Sequence, residues 1–281
     1  MSFRTIESSP RLPQGLSFVT VKSAALGQRA DLTLWLPPGT EPGAAMPLVI
    51  LLHGVYGSHW AWALKGNAHL TAQRLIDSGT IPPMRLAMPS DGLWGDGSGY
   101  VAHATGQDFE RWIVEEVPDA AGHVGGAPIF IAGLSMGGFG ALRLAGKYPQ
   151  RFAASAGHSS ITEAQQFDAL MSETRAGWSA APQDRSVLAA LTHAGLDDPF
   201  LAANRSLHQS LAAAGIAHDY AEHPGGHDWS YWSLHLEDTL RFFAALWVVL
   251  YTAWPHLDVG FTPVAVTKGY LGVETFFVLS G

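Results

Sequence analysis

The spacing of apolar residues divides the chain into alternating predicted strands and helices. Residues 16–36 alternate apolar and polar side chains, as half-buried antiparallel strands do. Residues 47–52 (PLVILL) are continuously apolar, which predicts a strand buried on both faces of a sheet. The remaining predicted strands are short and lie at 84–89, 128–132, 152–156, 187–192 and 217–222.

Helical spacing predicts the elements between these strands. The predicted helices lie at 65–78, 107–117, 137–148, 199–214 and from about Tyr231 onward. Strands that alternate with helices favour an α/β fold, with a mostly parallel central sheet, antiparallel N-terminal strands and helices on both faces. Residues 90–105 are rich in glycine and aspartate and are interpreted as a long functional loop.

Composition excludes several classes of function. A chain of 281 residues with 47% hydrophobic content is expected to form one main domain. Charged residues make up only 14% and the formal net charge is -8, so no nucleic-acid partner is expected. The absence of cysteine excludes disulfides and a cysteine nucleophile. The N-terminus lacks the features of a secretory signal, and a cytoplasmic location is expected.

The candidate chemistry lies in residues 133–140 (GLSMGGFG), directly after the predicted strand at 128–132. Gly133 and Gly137 flank Ser135 in a G-x-S-x-G pattern, in which a sharp strand-to-helix turn projects the serine hydroxyl above the sheet. The alternative, a phosphate-binding glycine turn, would need the lysine of a GxxxxGK[ST] loop, which is absent here. The pattern therefore predicts that Ser135 is a nucleophile.

A serine nucleophile needs a base that a third group orients. His227 is the candidate base because it lies in a glycine turn (PGGHDW) after a predicted strand and before the last helix, whereas His223 is expected to end a strand and His235 to lie inside a helix. A metal site formed by His218, His223 and His227 is the alternative, but their spacings of five and four residues match no common zinc pattern.

The orienting acid and the oxyanion donors have candidates at other predicted loops. Asp198 is preferred as the acid, while its neighbour Asp197 is interpreted as a cap of the following helix. The backbone N–H of Met136, at the start of the helix after the serine, is one candidate oxyanion donor. The N–H of Val55 is the second, because Gly54 lets the backbone approach the substrate closely.

Four segments, in the same order, resemble the esterase D family of α/β hydrolases: LLHGVYGSHWAW, GLSMGGFGAL, GLDDPFLAANRSLHQSL and PGGHDWSYW. That family includes S-formylglutathione hydrolases, short-chain esterases, feruloyl esterases and mycolyltransferases. The resemblance covers about residues 15–245 and implies an α/β-hydrolase domain at 1–245. It also implies a Ser135–Asp198–His227 triad and a serine carboxylesterase that forms an acyl-enzyme with no metal or organic cofactor.

The resemblance leaves the substrate open. Short-chain acyl esters are the first expectation, and a feruloyl ester or an S-formylglutathione thioester is the alternative. An acyltransferase with the same triad and a non-catalytic binding module also remain possible. Gly54 and several tryptophans are the candidate substrate-binding residues; the tryptophans are Trp60, Trp62, Trp94 and Trp229.

The C-terminal segment departs from this family. Its apolar run, residues 242–254, is about 13 residues long and falls short of the roughly 20 that span a bilayer. Residues 241–255 and 269–281 resemble the opening of an acyltransferase-3 membrane protein, but Thr252 stands where that family has histidine. Residues 246–281 are therefore interpreted as an atypical apolar tail. We expect this apolar tail to mediate self-association, so that the protein is a homo-oligomer.

Overall fold

The computed structural model describes most of the chain, namely residues 4–8, 12, 14–41, 43–91, 97–103, 105–163, 165–169 and 190–248. Trp94 and the tail beyond Val248 lie outside the described residues. The predictions that concern them therefore remain predictions.

Three antiparallel strands begin the fold: β1 (Arg4–Ser8), β2 (Leu16–Lys22) and β3 (Arg29–Trp35). In β2 and β3, buried positions alternate with partly exposed ones over most of each strand, as the sequence predicts. Strand β3 then pairs antiparallel with a strand of the central sheet.

The central strands are parallel and most are buried throughout. Their bounds are β4 Leu48–Leu52, β5 Arg85–Pro89, β6 Ile129–Leu134, β7 Ala154–His158, β8 Ala190–Gly195 and β9 Asp219–His223. The order across the described sheet is β1-β2-β3-β5-β4-β6-β7-β8-β9. Because β4 to β9 are parallel, their carboxyl ends meet at one edge of the sheet. In open α/β sheets, ligands bind at that edge.

Helices connect these strands. The described helices with defined bounds are α1 Ala61–Leu64, α2 Ala68–Asp77, α3 Phe109–Arg111, α4 Val117–Ala120, α5 Met136–Lys147, α6 Leu201–Ala213 and α7 Trp229–Trp247. A π-helical turn, Trp112–Glu116, joins α3 to α4 within the region predicted as one helix.

The sheet separates two apolar layers. Alternate residues of β4 point to opposite faces, with Leu48 and Ile50 on one side and Val49 and Leu51 on the other. The first face packs against α5 and the α3–α4 segment, and the second packs against α1, α2 and α7. The predicted α/β class, with helices covering both faces of a mostly parallel sheet, is confirmed.

Helix α7 continues past the predicted domain boundary at 245/246. It ends at Trp247, and the side chain of Leu246 is buried against the second apolar layer. The first apolar residue of the predicted tail, Leu246, is therefore part of the core of the domain. Within the described residues, none of the helices has the length and apolar character needed to cross a membrane.

Candidate active site

Ser135 lies at a sharp turn between the end of β6 and the start of α5. Its backbone has φ of 53° and ψ of -119°, a conformation that residues other than glycine rarely adopt. Its N–H donates to the carbonyl of His158 at the end of β7, at 2.9 Å, which anchors the turn to the neighbouring strand. The sequence therefore places a strained serine at the carboxyl edge of the sheet, as the G-x-S-x-G pattern predicts.

The two flanking glycines are required because backbone atoms occupy the space of a side chain. A Cβ added at Gly133 would lie 2.1 Å from the carbonyl oxygen of Gly137. A Cβ at Gly137 would lie 2.4 Å from the carbonyl oxygen of Leu52 in β4. Both contacts are with backbone and cannot be relieved by a rotamer change, so the tight strand-to-helix turn excludes any larger residue.

Asp198 and His227 are brought together from the ends of two neighbouring strands. Asp198 follows β8 and His227 follows β9, and the Nδ1 of His227 lies 2.9 Å from the Oδ2 of Asp198. The rings of Phe200 and Trp232 contact the imidazole edge-on, at centroid distances of 5.1 Å and 4.9 Å. The imidazole is thus held by one hydrogen bond to Asp198 and by two aromatic neighbours.

Hydrogen bonds keep Asp198 ionised in spite of its burial. Burial alone would raise the pKa of Asp198, but bonds from His227, from the Ser159 hydroxyl and from the Phe200 N–H outweigh it and lower the pKa. Because the folded-state pKa lies below the unfolded value, the ionised carboxylate stabilises the fold above the unfolded pKa. That contribution is lost as the pH falls through the folded-state pKa.

Ser159 and Trp232 were not predicted as parts of this site. The indole Nε1 of Trp232 donates to the Ser159 hydroxyl at 3.3 Å, and that hydroxyl bonds to Asp198. Trp232 lies within the PGGHDWSYW segment, which is the signal that could have pointed to it. Ser159 follows β7 and gives no local signal, because it meets Asp198 only through the parallel pairing of β7 with β8.

The competing histidines lie elsewhere. His223 is the last residue of β9 and His235 lies in α7, as the sequence predicts, and their rings stack on each other with centroids 4.2 Å apart. Neither residue lines the cavity that holds Ser135. The predicted alternative of a metal site built from His218, His223 and His227 is not what the described residues form, because the candidate cluster there combines His223 with His235 and Asp238.

The expectation that Asp197 caps the following helix is wrong. Helix α6 begins at Leu201 with Phe200 at the N-cap position and no side-chain cap bond. Asp197 is exposed, and its backbone N–H donates to the carbonyl of Gly225 at 2.9 Å. The acidic side chain that contacts the loop of His227 is that of Asp198.

The predicted oxyanion loop lies directly beside Ser135. A Cβ added at Gly54 would be 2.8 Å from the Cδ1 of Leu134 and 3.2 Å from the Cβ of Ser135, so a side chain at this position would crowd the serine. Gly54 and the partly buried Val55 both line the cavity, while Met136 is fully buried at the first position of α5. The two candidate N–H groups therefore belong to different segments: that of Val55 to the loop after β4, and that of Met136 to the start of α5.

His53 fixes the orientation of the Gly54–Val55 peptide. The N–H of Asp91 donates to His53 Nε2 at 3.1 Å, so Nδ1 carries the proton and donates to the Gly54 carbonyl at 2.7 Å. The N–H of Gly57 donates to the same carbonyl, at 3.2 Å. In a trans peptide the carbonyl and the next N–H point in opposite directions, so these bonds also set the direction of the Val55 N–H. The sequence interpretation missed this role of His53.

A cavity of about 240 Å³ lies at the candidate active site. Ser135 and His227 line it together with the oxyanion loop and several aromatic side chains. The other lining residues are Gly54, Val55, Tyr56, Gly57, Trp60, Ala61, Lys65, Leu134, Trp229 and Trp232.

The tryptophan predictions divide three ways. Trp60 and Trp229 line the cavity, and their contact with substrate remains a prediction. Trp62 was predicted to line it but is a core residue, 1% exposed, with its indole N–H bonded to the Leu52 carbonyl at 2.9 Å. Trp94 lies outside the described residues.

Comparison with known proteins identifies the family. Residues 23–243 match the family Esterase, described as "Putative esterase", and the chain belongs to that family. An acetyl esterase of Caldicellulosiruptor saccharolyticus is 25% identical over 228 residues, which cover 69% of this chain and 82% of that protein.

Solved structures share the fold. A ferulic acid esterase superimposes with a TM-score of 0.70 at 25% identity, covering 85% of this chain and 99% of its own. An S-formylglutathione hydrolase from Agrobacterium tumefaciens gives a TM-score of 0.69 at 19% identity, covering 86% and 98% of the two chains. The protein is a serine esterase with the α/β-hydrolase fold, and it acts on small-molecule esters.

Proposed function

We propose that this protein is a carboxylesterase that hydrolyses short-chain acyl esters through a Ser135–His227–Asp198 triad. The observation that carries the proposal is the shared cavity: Ser135 and His227 both line it, and the Nδ1 of His227 is paired with Asp198. This is the arrangement of nucleophile, base and orienting acid that acyl transfer requires.

In the first half of the reaction, the Ser135 hydroxyl attacks the ester carbonyl and His227 takes its proton. Because Nδ1 of His227 faces Asp198, Nε2 is the nitrogen left to accept that proton. The carboxylate stabilises the imidazolium that forms. The N–H groups of Val55 and Met136 bind the oxyanion of the tetrahedral intermediate.

The second half releases the acyl group. The protonated His227 gives its proton to the leaving alcohol, and the acyl group stays on the Ser135 oxygen. Water then enters and attacks the acyl carbonyl while His227 removes a proton from it. As the tetrahedral intermediate collapses, His227 returns that proton to the Ser135 oxygen, which frees the carboxylic acid and restores the serine. The proposed triad and the backbone donors supply each proton transfer and charge, so these steps need no cofactor.

The size of the cavity supports a small acyl group. About 240 Å³ lies at or below the low end of volumes found for small-molecule sites, which begin near 300 Å³. The acetyl esterase relative points in the same direction. We therefore expect kcat/KM for nitrophenyl acetate and butyrate to exceed that for the octanoate by at least about 10-fold. The octanoyl chain does not fit the cavity, so several of its methylene groups lack the contacts that a larger cavity would provide. A flat or rising profile across the series would contradict this assignment.

A feruloyl ester is the second candidate. Trp60, Trp229 and Trp232 around the cavity offer stacking surfaces for an aromatic acyl group, and the ferulic acid esterase structure is similar at 25% identity. Methyl ferulate assayed beside the aliphatic series separates the two candidates. A kcat/KM for methyl ferulate above that for the acetate ester would assign the aromatic class.

The predicted oligomer also remains a proposal. Helix α7 is packed in the core as far as Leu246, so a chain truncated after Val248 keeps every buried contact described for that helix. If the tail joins subunits, sedimentation of this shortened chain gives a smaller species than the full chain. An unchanged number of chains per particle would refute the role of the tail. The cytoplasmic location likewise stays a prediction.

A further inference from the structure

Three side chains with metal-binding atoms converge behind the loop that carries His227. His223 is the last residue of β9, and His235 and Asp238 lie one helical turn apart on α7. Their ligand atoms lie within 4.8 Å of one another, and no other group of three or more such residues occurs in the part of the chain that the structure describes. None of the three lines the cavity of Ser135.

The distances fit a small coordination sphere. With bonds of about 2.0–2.1 Å, neighbouring ligand atoms of a tetrahedral zinc site lie about 3.3 Å apart. The Nδ1 of His235 and the Oδ2 of Asp238 are already 3.1 Å apart. The His223 ring is stacked on that of His235, with centroids 4.2 Å apart, and its ligand atom lies within 4.8 Å of the other two. Because an imidazole coordinates in its own plane, the His223 ring has to tilt out of this stack to bind the same ion.

One of these ligands is fixed and two can adjust. His235 is 8% exposed and its ring also contacts Tyr231, at a centroid distance of 4.5 Å. His223 is only partly buried and the Asp238 side chain is 51% exposed. A rigid imidazole between two movable ligands lets the cluster close around an ion without disturbing the core.

The donor set selects the class of ion. Two imidazole nitrogens and one carboxylate oxygen suit borderline cations such as Zn²⁺, whereas Ca²⁺ and Mg²⁺ take oxygen ligands. With neutral imidazoles, the single negative charge of Asp238 attracts a dication. Three protein ligands leave one tetrahedral position for water.

We propose that His223, His235 and Asp238 form a binding site for a divalent cation of the Zn²⁺ class, which ties the end of β9 to α7. Residues 224–228, including His227, connect these two elements. A cation here would fix both ends of the loop that presents His227, without contacting the reacting atoms. Its main effect would be on the stability of this corner of the fold.

In the test, Zn²⁺ is titrated into the full chain, which is prepared without a polyhistidine tag. The heat of binding and the midpoint of thermal unfolding are measured. We expect one equivalent to bind per chain and to raise Tm by about 5 °C at saturating metal. His235→Asn and Asp238→Asn should each weaken binding by at least about 10-fold while nitrophenyl acetate hydrolysis in a chelator stays unchanged. Asp238 is exposed, so its variant keeps the fold even if the His235 variant does not.

Two further variants locate the ion. His218→Asn removes the other imidazole pair, in which His208 Nδ1 lies 2.8 Å from His218 Nε2, and it should leave Zn²⁺ binding unchanged. His227→Asn should also leave it unchanged. The proposal is overturned if the untagged chain binds no Zn²⁺. Binding that survives the Asp238 change but is lost with His227 or His218 would overturn it as well.

Discussion

Replacing Ser135 with alanine is expected to lower kcat for nitrophenyl acetate by about 10⁴- to 10⁶-fold. The remaining rate is what the oxyanion donors and substrate binding supply without a nucleophile. The variant should also stop reacting with a fluorophosphonate probe, because that reagent phosphonylates the activated hydroxyl. Steady-state kinetics and probe labelling of the purified chain measure both effects.

Ser155 provides a matched control. It is also a buried serine of the central sheet, near the start of β7, and its hydroxyl has no hydrogen-bond partner among the described residues. Ser155→Ala should therefore keep kcat within a few-fold of the native value. If the Ser135 variant retained near-native hydrolysis and labelling, the reaction would have to run through a different nucleophile.

Replacing Asp198 with asparagine is expected to lower kcat by about 10⁴-fold with little change in KM. The amide cannot stabilise the imidazolium, and its NH₂ group favours the wrong tautomer of His227 across the 2.9 Å contact. The adjacent Asp197 is exposed and makes no described contact with that ring. Asp197→Asn should therefore stay within about twofold of the native kcat.

This adjacent pair separates a role in the triad from a general effect of negative charge. Both variants change the net charge equally and lie in the same loop. Circular dichroism and unfolding midpoints confirm that each variant is folded before kinetics are compared. Similar losses in both, or a larger loss in the Asp197 variant, would remove Asp198 from the proposed mechanism.

Those parts of the site that depend on local backbone geometry could be predicted from the sequence. The turn at Ser135 is encoded by glycines two residues to either side, and the loop of His227 by the glycines before it. Both are short-range demands for missing Cβ atoms, which the structure explains by backbone contacts near 2.1–2.4 Å at Gly133 and Gly137. The α/β class follows from strand and helix periodicity in the same way.

What the sequence did not reveal depends on contacts between distant segments. The tautomer of His53 is set by the N–H of Asp91, 38 positions away, and Ser159 meets Trp232 across 73 positions. The preference of aspartate for helix N-caps gave the wrong interpretation of Asp197, since α6 begins at Leu201 with Phe200 at its N-cap and no side-chain cap bond. No local pattern carries such pairings, because they arise only once the sheet is assembled.

At Ser135, catalysis and thermal stability favour different residues, because the catalytic serine has a strained backbone. A non-glycine residue held at φ of 53° and ψ of -119° carries strain on the order of 1–3 kcal/mol, while glycine would forfeit only about 0.5–1 kcal/mol of chain entropy. A selection that rewards heat resistance alone would therefore drift toward glycine there. The most heat-stable variants from such a selection would then lack esterase activity, unless every round of screening also required turnover.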